Sequence, residues 1–406
     1  MTRQMAAIAA NRFGYGARPG DLAAIASDPR GWLLAQLRPE TRLPAPLAAL
    51  PSTGDDLAAF PLLLLRRALS RRRGTAEPES GEDAAAMIRR ELGPRLLRAA
   101  NARLETAVAS ETPFRERLVH FWSNHFVVAG TRALTLAAPP SFERDVARAH
   151  VAGRFRDMLG ASTRHPAMQL YLDNHRNIGP NSRQGRNPEL VPDTPGIGRP
   201  TGLNENLARE ILELHTLGVD GGYDQADVAA FARVLTGWGV RPAFDRSTLR
   251  RRFGRSSGRS SGRSSGRSFD LETLRREAAD RSAEELFHFE PAAHEPGAFE
   301  VLGRRYGAAG EDQGRRVLDD LARHPATAAF LAGKLCRHFV ADTPPPALVE
   351  RVARRFRETD GDLAETCATL VRSPEAWAPE PRKFKRPEEF LISAARATGA
   401  RVPEGP

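Results

Sequence analysis

Hydrophobic positions recur along most of this chain at i, i+3 and i+4, in segments broken by Pro and Gly, and runs of alternating β-branched residues do not stand out. That periodicity predicts an all-α fold. Residues 204–223, NENLAREILELHTLGVDGGY, show it most clearly. A rotation of ~100° per residue puts Leu207, Ala208, Ile211, Leu212 and Leu214 on one side, with His215 near the centre of that arc beside Asn204. Glu205, Arg209 and Glu213 fall on the opposite side at i, i+4 and i+8, the alternating-sign ladder of an exposed helix face. Gly218 is placed to stop the helix, and Gly221 and Gly222 to turn the chain before the next one.

Two further helices carry imidazoles on apolar faces. After Thr112, a capping residue, and Pro113, which suits the first helical position, the run FRERLVHFWSNHFVV gathers Leu118, Val119, Phe121, Trp122, His125 and Phe126 on one side. His120 and Asn124 are expected to point away. Downstream, His338 shares a face with Leu331 and Leu335. Residues 165–182 read as a helix ending in a polar loop that holds Asp173, Asn174, His175 and Asn177 close together. The Pro- and Gly-rich stretch 181–206 that follows is a candidate lid or wall of a pocket.

The remaining chain supplies scaffold. A short first helix leads to the loop NRFGYGARPGD and a helix across residues 21–37; Gly14, Gly16 and Gly20 follow no strand, which argues against a dinucleotide site. Long Ala/Leu/Arg helices over residues 54–108 are interrupted by a loop at 71–83, and residues 287–306 include a short extended or hairpin segment before helices resume at residue 324. The organisation expected is a helical region at 1–245 with the main motifs, a disordered Arg/Ser/Gly repeat insert at 246–268, and a C-terminal helical region at 269–406 packed on the first. One large multi-helix domain and two helical subdomains are both open at this length.

Composition narrows the classes. With 406 residues the chain can bury a site, and it has no apolar run of the ~18 residues that a membrane helix needs. The net charge of +10 invites a nucleic-acid reading, but Arg250, Arg251, Arg252, Arg255, Arg259, Arg263 and Arg267 sit in one stretch without an acidic residue. The rest of the protein is only mildly basic, so nucleic acid is not the expected partner. Lys334, Lys383 and Lys385 are the only lysines among 60 basic residues, a usage that reflects coding bias rather than recognition. Cys336 and Cys367 have no metal-ligand spacing, and the N-terminus shows no apolar leader, which gives a cytoplasmic expectation.

The motifs NRFGYGARPGD, RERLVHFWSNHFVV, YLDN, NENLAREILELHTLGVDGGYDQADV, RVLTGW, HPATAAFLAGKLCRHFVAD, TDGDL and KRPEEFLISAARATGA together resemble the bacterial domain-of-unknown-function family numbered 1800, across nearly the whole chain. The resemblance implies an all-α protein without an established activity. It also implies a possible sulfatase-like exported partner, and export signals in many relatives that this chain does not show.

Three chemistries fit the residues. Each of His125, His215 and His338 alone reads as a core histidine, whereas their convergence would suit haem held by a proximal histidine with another on the distal side. HFWSNHF and LELHTL resemble, over a short span, the distal and proximal helices of animal-type haem peroxidases; without CxxCH such haem would be non-covalent. A divalent-metal hydrolase would draw on His125, Asp173, His175, Glu210 and His215, although a straight helix sets Glu210 and His215 about 140° apart. The third class is a non-catalytic interaction or assembly protein whose polar motifs tie helices together. The first choice is an enzyme with one shared pocket: His125, His215, Asp173 and Glu210 as catalytic groups, and Asn174, His175, Asn204, Arg209 and Arg337 for substrate.

Overall fold

The computed structural model describes residues 2–39, 42–72, 84–190, 202–242 and 271–402. The fold is all-α as expected, with strands confined to two antiparallel pairs among the described residues. The chain opens with the helix Thr2–Ile8, which widens into a π turn, Ala9–Phe13, and reaches the Gly14 to Gly16 corner. The single helix expected over 21–37 is two, Asp21–Ile25 and Pro29–Ala35, because Pro29 cannot continue a helix and Asp28 caps the new one by accepting from the Gly31 amide at 2.8 Å. Long helices Thr53–Arg72 and Ala84–Ala109 follow. The loop expected between them lies, apart from its first two residues, outside the described residues, as does the insert at 246–268.

The strands tie the chain together on either side of that insert. β1 (Trp238–Val240) pairs with β2 (Phe287–Phe289), so the backbone before residue 243 meets the backbone after residue 270 in one antiparallel ladder. β3 (Phe299–Val301) and β4 (Arg304–Tyr306) form the short hairpin predicted from 287–306; its two-residue turn, Leu302 and Gly303, has positive φ at both positions. Leu271–Ala279 packs along Thr53–Arg72, and Gly54 makes that approach possible: a Cβ there would lie 1.8 Å from the Ala278 carbonyl oxygen. The main apolar core is contiguous from Ala6 to Trp377 and draws on both sides of the insert.

Two helices cross the centre. Pro113–His125 is buried on nearly every side, from Pro113 through Trp122 and again at His125, so its polar residues must find partners inside the protein. Glu116 takes Arg148 in a bidentate pair at 2.8 and 2.6 Å, and Arg117 takes Glu389 at 2.9 Å. Thr112 does not cap this helix; its hydroxyl lies against Ser110, and the Phe114 amide donates instead to Gln36 Oε1 at 2.9 Å. The second helix, Pro325–Phe339, is started by Pro325 and by His324, whose Nδ1 accepts from the Ala326 amide at 3.2 Å. The last described helix, Pro387–Thr398, is pinned onto the N-terminal corner by Arg396, which is 2% exposed and donates to the carbonyls of Gly16, Ala107, Val108 and Ser110.

Candidate functional site

The most periodic stretch of the sequence folds differently from a straight helix. Asn206–Glu210 is α-helical, and Ile211–Thr216 is a π turn in which the Leu217 amide donates to the Leu212 carbonyl five residues back. A π turn rotates each residue by less than ~100°. Position 214 therefore swings off the apolar face, and Leu214 is 43% exposed rather than buried as expected, while His215 keeps the buried side. The same unwinding removes the premise for setting Glu210 and His215 about 140° apart. Glu210 nevertheless engages Glu213 electrostatically rather than His215, and it stays half-buried with its carboxyl raised by burial first and Glu213 second.

The outer ladder is only partly formed. Arg209 pairs with Glu205 at 3.0 Å and both reach Gln225, while Glu213 accepts from the Tyr223 hydroxyl at 3.4 Å. Gly218 ends the turn at φ +86, and a Cβ there would lie 2.8 Å from Phe330 Cδ2. We expect Gly218→Ala to cost about 1–2 kcal/mol from the left-handed backbone alone, with a further loss from displacing Phe330, measurable as a lowered denaturation midpoint; unchanged stability would count against the described turn.

His125 and His215 meet. Their ring centroids are 6.1 Å apart, and His125 Nε2 donates to the His215 carbonyl at 3.0 Å. That bond places the proton on Nε2 and leaves Nδ1 as an acceptor, which takes a hydrogen from Lys334 Nζ at 2.8 Å. Phe126, Phe155 and Phe330 surround the pair. Burial, then Lys334, pulls the His125 imidazole far below its usual range, with His215 adding to the effect, and His215 drops to about 3 for the first two reasons. Both rings are neutral at neutral pH.

Asp173, Asn174, His175 and Asn204 form a second, separate network. Asn174 is 1% exposed and its amide donates to Gln169 Oε1, the Leu235 carbonyl and the Trp238 carbonyl. His175 Nδ1 donates to the Gln169 carbonyl at 3.0 Å, and Asn177 bonds Asn174 and the Ala232 carbonyl. The Asn204 amide group reaches the Asp173 carbonyl, its backbone N–H the Asn177 side chain, and its oxygen accepts from the Asn206 amide. Asp173 takes a left-handed backbone, φ 57, and pairs with Arg132 at 2.7 Å. Among the described residues these bonds close on the protein itself, and none reaches His125 or His215. Arg337 is exposed on the Pro325–Phe339 helix.

A third cluster was not singled out from the sequence. His120, expected to point outward, is 8% exposed, because the face it occupies is covered by the Gly14 to Gly16 corner; its Nδ1 lies 2.5 Å from the Tyr15 hydroxyl. Burial keeps both neutral, raising Tyr15 well above its usual range and lowering His120 well below. The hydroxyl proton then goes to Nδ1, and Nε2 carries the imidazole hydrogen. Among the described residues that buried Nε2 has no hydrogen-bond partner, and neither has His338 Nε2, which is 3.9 Å from Glu389 Oε1. Both histidines line a cavity of about 650 Å³ together with Tyr15, Arg103, Glu388 and Glu389. The sequence carried no signal for His120: with Arg115, Glu116, Arg117, Ser123 and Asn124 the helix reads as having a polar face, and only tertiary packing buries it on nearly every side.

A larger cleft of about 1210 Å³ is lined by Arg144, Arg148, His165 and Arg315 among others. Three of its seven arginines bind neighbouring carboxylates, Arg144 with Asp145, Arg148 with Glu116 and Arg315 with Glu311, and Arg115, Arg164 and Arg281 donate to backbone carbonyls. The smaller cavity has the stronger claim to chemistry: two histidines with a buried, unpartnered Nε2 line it, against one in the larger cleft, His165, whose Nε2 lies 3.5 Å from Asp145.

The haem and metal expectations can be set against the donors. Among the described residues no group of three or more His, Cys, Asp or Glu is placed to hold a metal ion. His125 has both ring nitrogens engaged, and His125 and His215 line neither cleft. No described helix is long and apolar enough to cross a membrane. Cys336 and Cys367 are buried free thiols, both pushed up to about 12 by burial. Comparison with curated proteins and with solved structures finds no match to the chain. A family model does match, over residues 8–404, and with that span the chain belongs to the family of proteins of unknown function DUF1800.

Proposed function

We propose that this protein is an enzyme whose chemistry is proton transfer, carried out in the cavity between Tyr15, His120 and His338. The observation that carries the reading is the Tyr15 to His120 hydrogen bond of 2.5 Å, which orients an imidazole that lines a 650 Å³ cavity and whose other nitrogen is buried without a partner among the described residues. A cavity of that size suits a small polar molecule. His120, with its hydrogen on Nε2, is the proton donor toward a bound substrate, and Tyr15 holds its tautomer. His338, neutral and unpaired at Nε2, is the complementary acceptor. Arg117 binds Glu389 at 2.9 Å and keeps that carboxylate from claiming the His338 proton. This reading needs no haem and no metal, and it moves the catalytic roles from His125, His215, Asp173 and Glu210 to Tyr15, His120 and His338. A screen of the purified protein against ester, phosphoester, lyase and isomerase substrates, repeated with His120→Gln and His338→Gln, tests it. Turnover lost by about 10²-fold or more in both variants is the expected result, and turnover equal to wild type in both would end the proposal.

A second reading, an interaction protein, is favoured by one observation. Phe384, Phe390 and Leu391 are 76%, 62% and 63% exposed at the C-terminal end, and Leu391 lies on the rim of the same cavity. Large exposed apolar groups in one eight-residue stretch are what a contact surface would need. The sulfatase-like partner suggested by the family resemblance is the occupant this reading assigns to it.

A further inference from the structure

We propose that Lys334 is a nucleophilic amine that forms an imine with a small carbonyl compound bearing an anionic group, with His125 as its proton carrier. Lys334 lies outside the Tyr15, His120 and His338 cavity, so this site stands independently of the function proposed above.

Four observations support it. Lys334 Nζ is 2.8 Å from His125 Nδ1, and the opposite nitrogen of that ring is tied to the His215 carbonyl, so the lone pair faces the amine and cannot turn away. No carboxylate of the described residues lies within ion-pair distance of Lys334, and the charges that act on it, Arg337 and Arg386, are both positive. The side chain is half-buried over the Phe330 ring, 5.1 Å from its centroid, with His215 beside it. Finally, this chain uses arginine for all but three of its 60 basic residues, yet places a lysine here, where an arginine would also be cationic but never deprotonated. Burial, with Arg337 and Arg386 adding to it, brings the ammonium down to about 8, so a useful share of neutral amine exists at neutral pH.

The chemistry balances without a further reactant. The neutral amine share of Lys334 attacks the carbonyl carbon of an aldehyde or 2-oxo acid; His125 Nδ1 takes one hydrogen from the now cationic nitrogen and delivers it to the former carbonyl oxygen, giving the carbinolamine. The same imidazole then takes the second nitrogen hydrogen and delivers it to the departing hydroxyl, so that both hydrogens leave on one water and the neutral imine remains. The uncompensated positive charge of Lys334, Arg337 and Arg386 favours a carboxylate or phosphate on the same molecule.

Glyoxylate with cyanoborohydride is the probe, since reduction traps the imine as carboxymethyl-lysine. The full chain is treated at pH 7.5 and the three lysine sites are followed by peptide mass spectrometry, with Lys383, paired to Asp342, as the internal reference. Trapping at Lys334 at least about tenfold faster than at Lys383 is expected, falling to a rate similar to Lys383 in His125→Gln. Lys334→Arg, which keeps the charge, is expected to retain the fold by circular dichroism and to lose only that labelled peptide. Equal or slower trapping at Lys334 in the wild-type protein would overturn the assignment. So would full retention of the fast rate in a folded His125→Gln; should that variant unfold, the same comparison with Phe330→Leu, which removes the ring over the amine, decides, an unchanged rate counting against the site.

Discussion

Acidification from pH 7.5 to 5 is expected to remove about 4 kcal/mol or more of stability. His120, His125, His165, His215 and His338 are all 8% exposed or less, and burial lowers each one below its ordinary value. A histidine depressed in the folded state is neutral there while the unfolded chain takes up a proton. The unfolded state therefore binds more protons as pH falls below the unfolded value, and stability falls with it. For His215, moved from 6.5 to about 3, the loss at pH 5 is about 2 kcal/mol. His120, His125 and His338 act in the same direction. Asp56 opposes them, since burial raises its carboxyl to about 7 and the folded state binds the extra proton there, offsetting roughly one histidine. Denaturant unfolding at pH 7.5, 6 and 5 should give a falling midpoint, and His215→Gln should flatten that fall. A midpoint that holds or rises on acidification would show that these imidazoles are not buried in solution.

The second large effect is expected at Glu116→Ala. Glu116 and Arg148 are 1% and 4% exposed and meet in two parallel hydrogen bonds. Removing the carboxylate takes both of these hydrogen bonds from a buried guanidinium, a loss of about 3–5 kcal/mol. The pair is not thereby a source of net stability. Glu116→Met combined with Arg148→Met, which removes both desolvation costs, should recover most of what the single substitution loses. Unfolding free energies for the single and double variants check this, and a double variant as unstable as Glu116→Ala would mean that Arg148 matters through other contacts.

How far the sequence could be read differs from residue to residue. His125 and His215 were placed on buried faces by spacing alone, and the spacing was right because both helices bury apolar residues at the same azimuth. Leu214 went wrong on the same rule, since nothing in ILELHT announces a change from α to π rotation. The Asn174, Asn177 and Asn204 group was legible as a polar concentration, but what it binds was not; its amides are consumed by the carbonyls of Ala232, Leu235 and Trp238, residues far along the chain. Tyr15 and His120 were missed together. Gly14, Tyr15 and Gly16 read as a loop, and His120 as the outer side of a helix, and only their meeting across 105 positions makes either one notable.

What the sequence determined by itself was the set of local preferences. Helical periodicity, the prolines that begin helices, the glycine that ends the motif at position 218 and the turn at Leu302 and Gly303 all depend on neighbours a few residues away. They sufficed for the all-α class, while the family was legible through the resemblance of the longer motifs. Tertiary structure decided which polar side chains share a cavity and which are used up in holding it. That outcome depends on hydrogen bonds between residues widely separated in the chain, where burial makes each unpaired nitrogen costly and each paired one inert. Lys334 against His125, and Tyr15 against His120, are products of that packing, and no spacing along the chain encodes them.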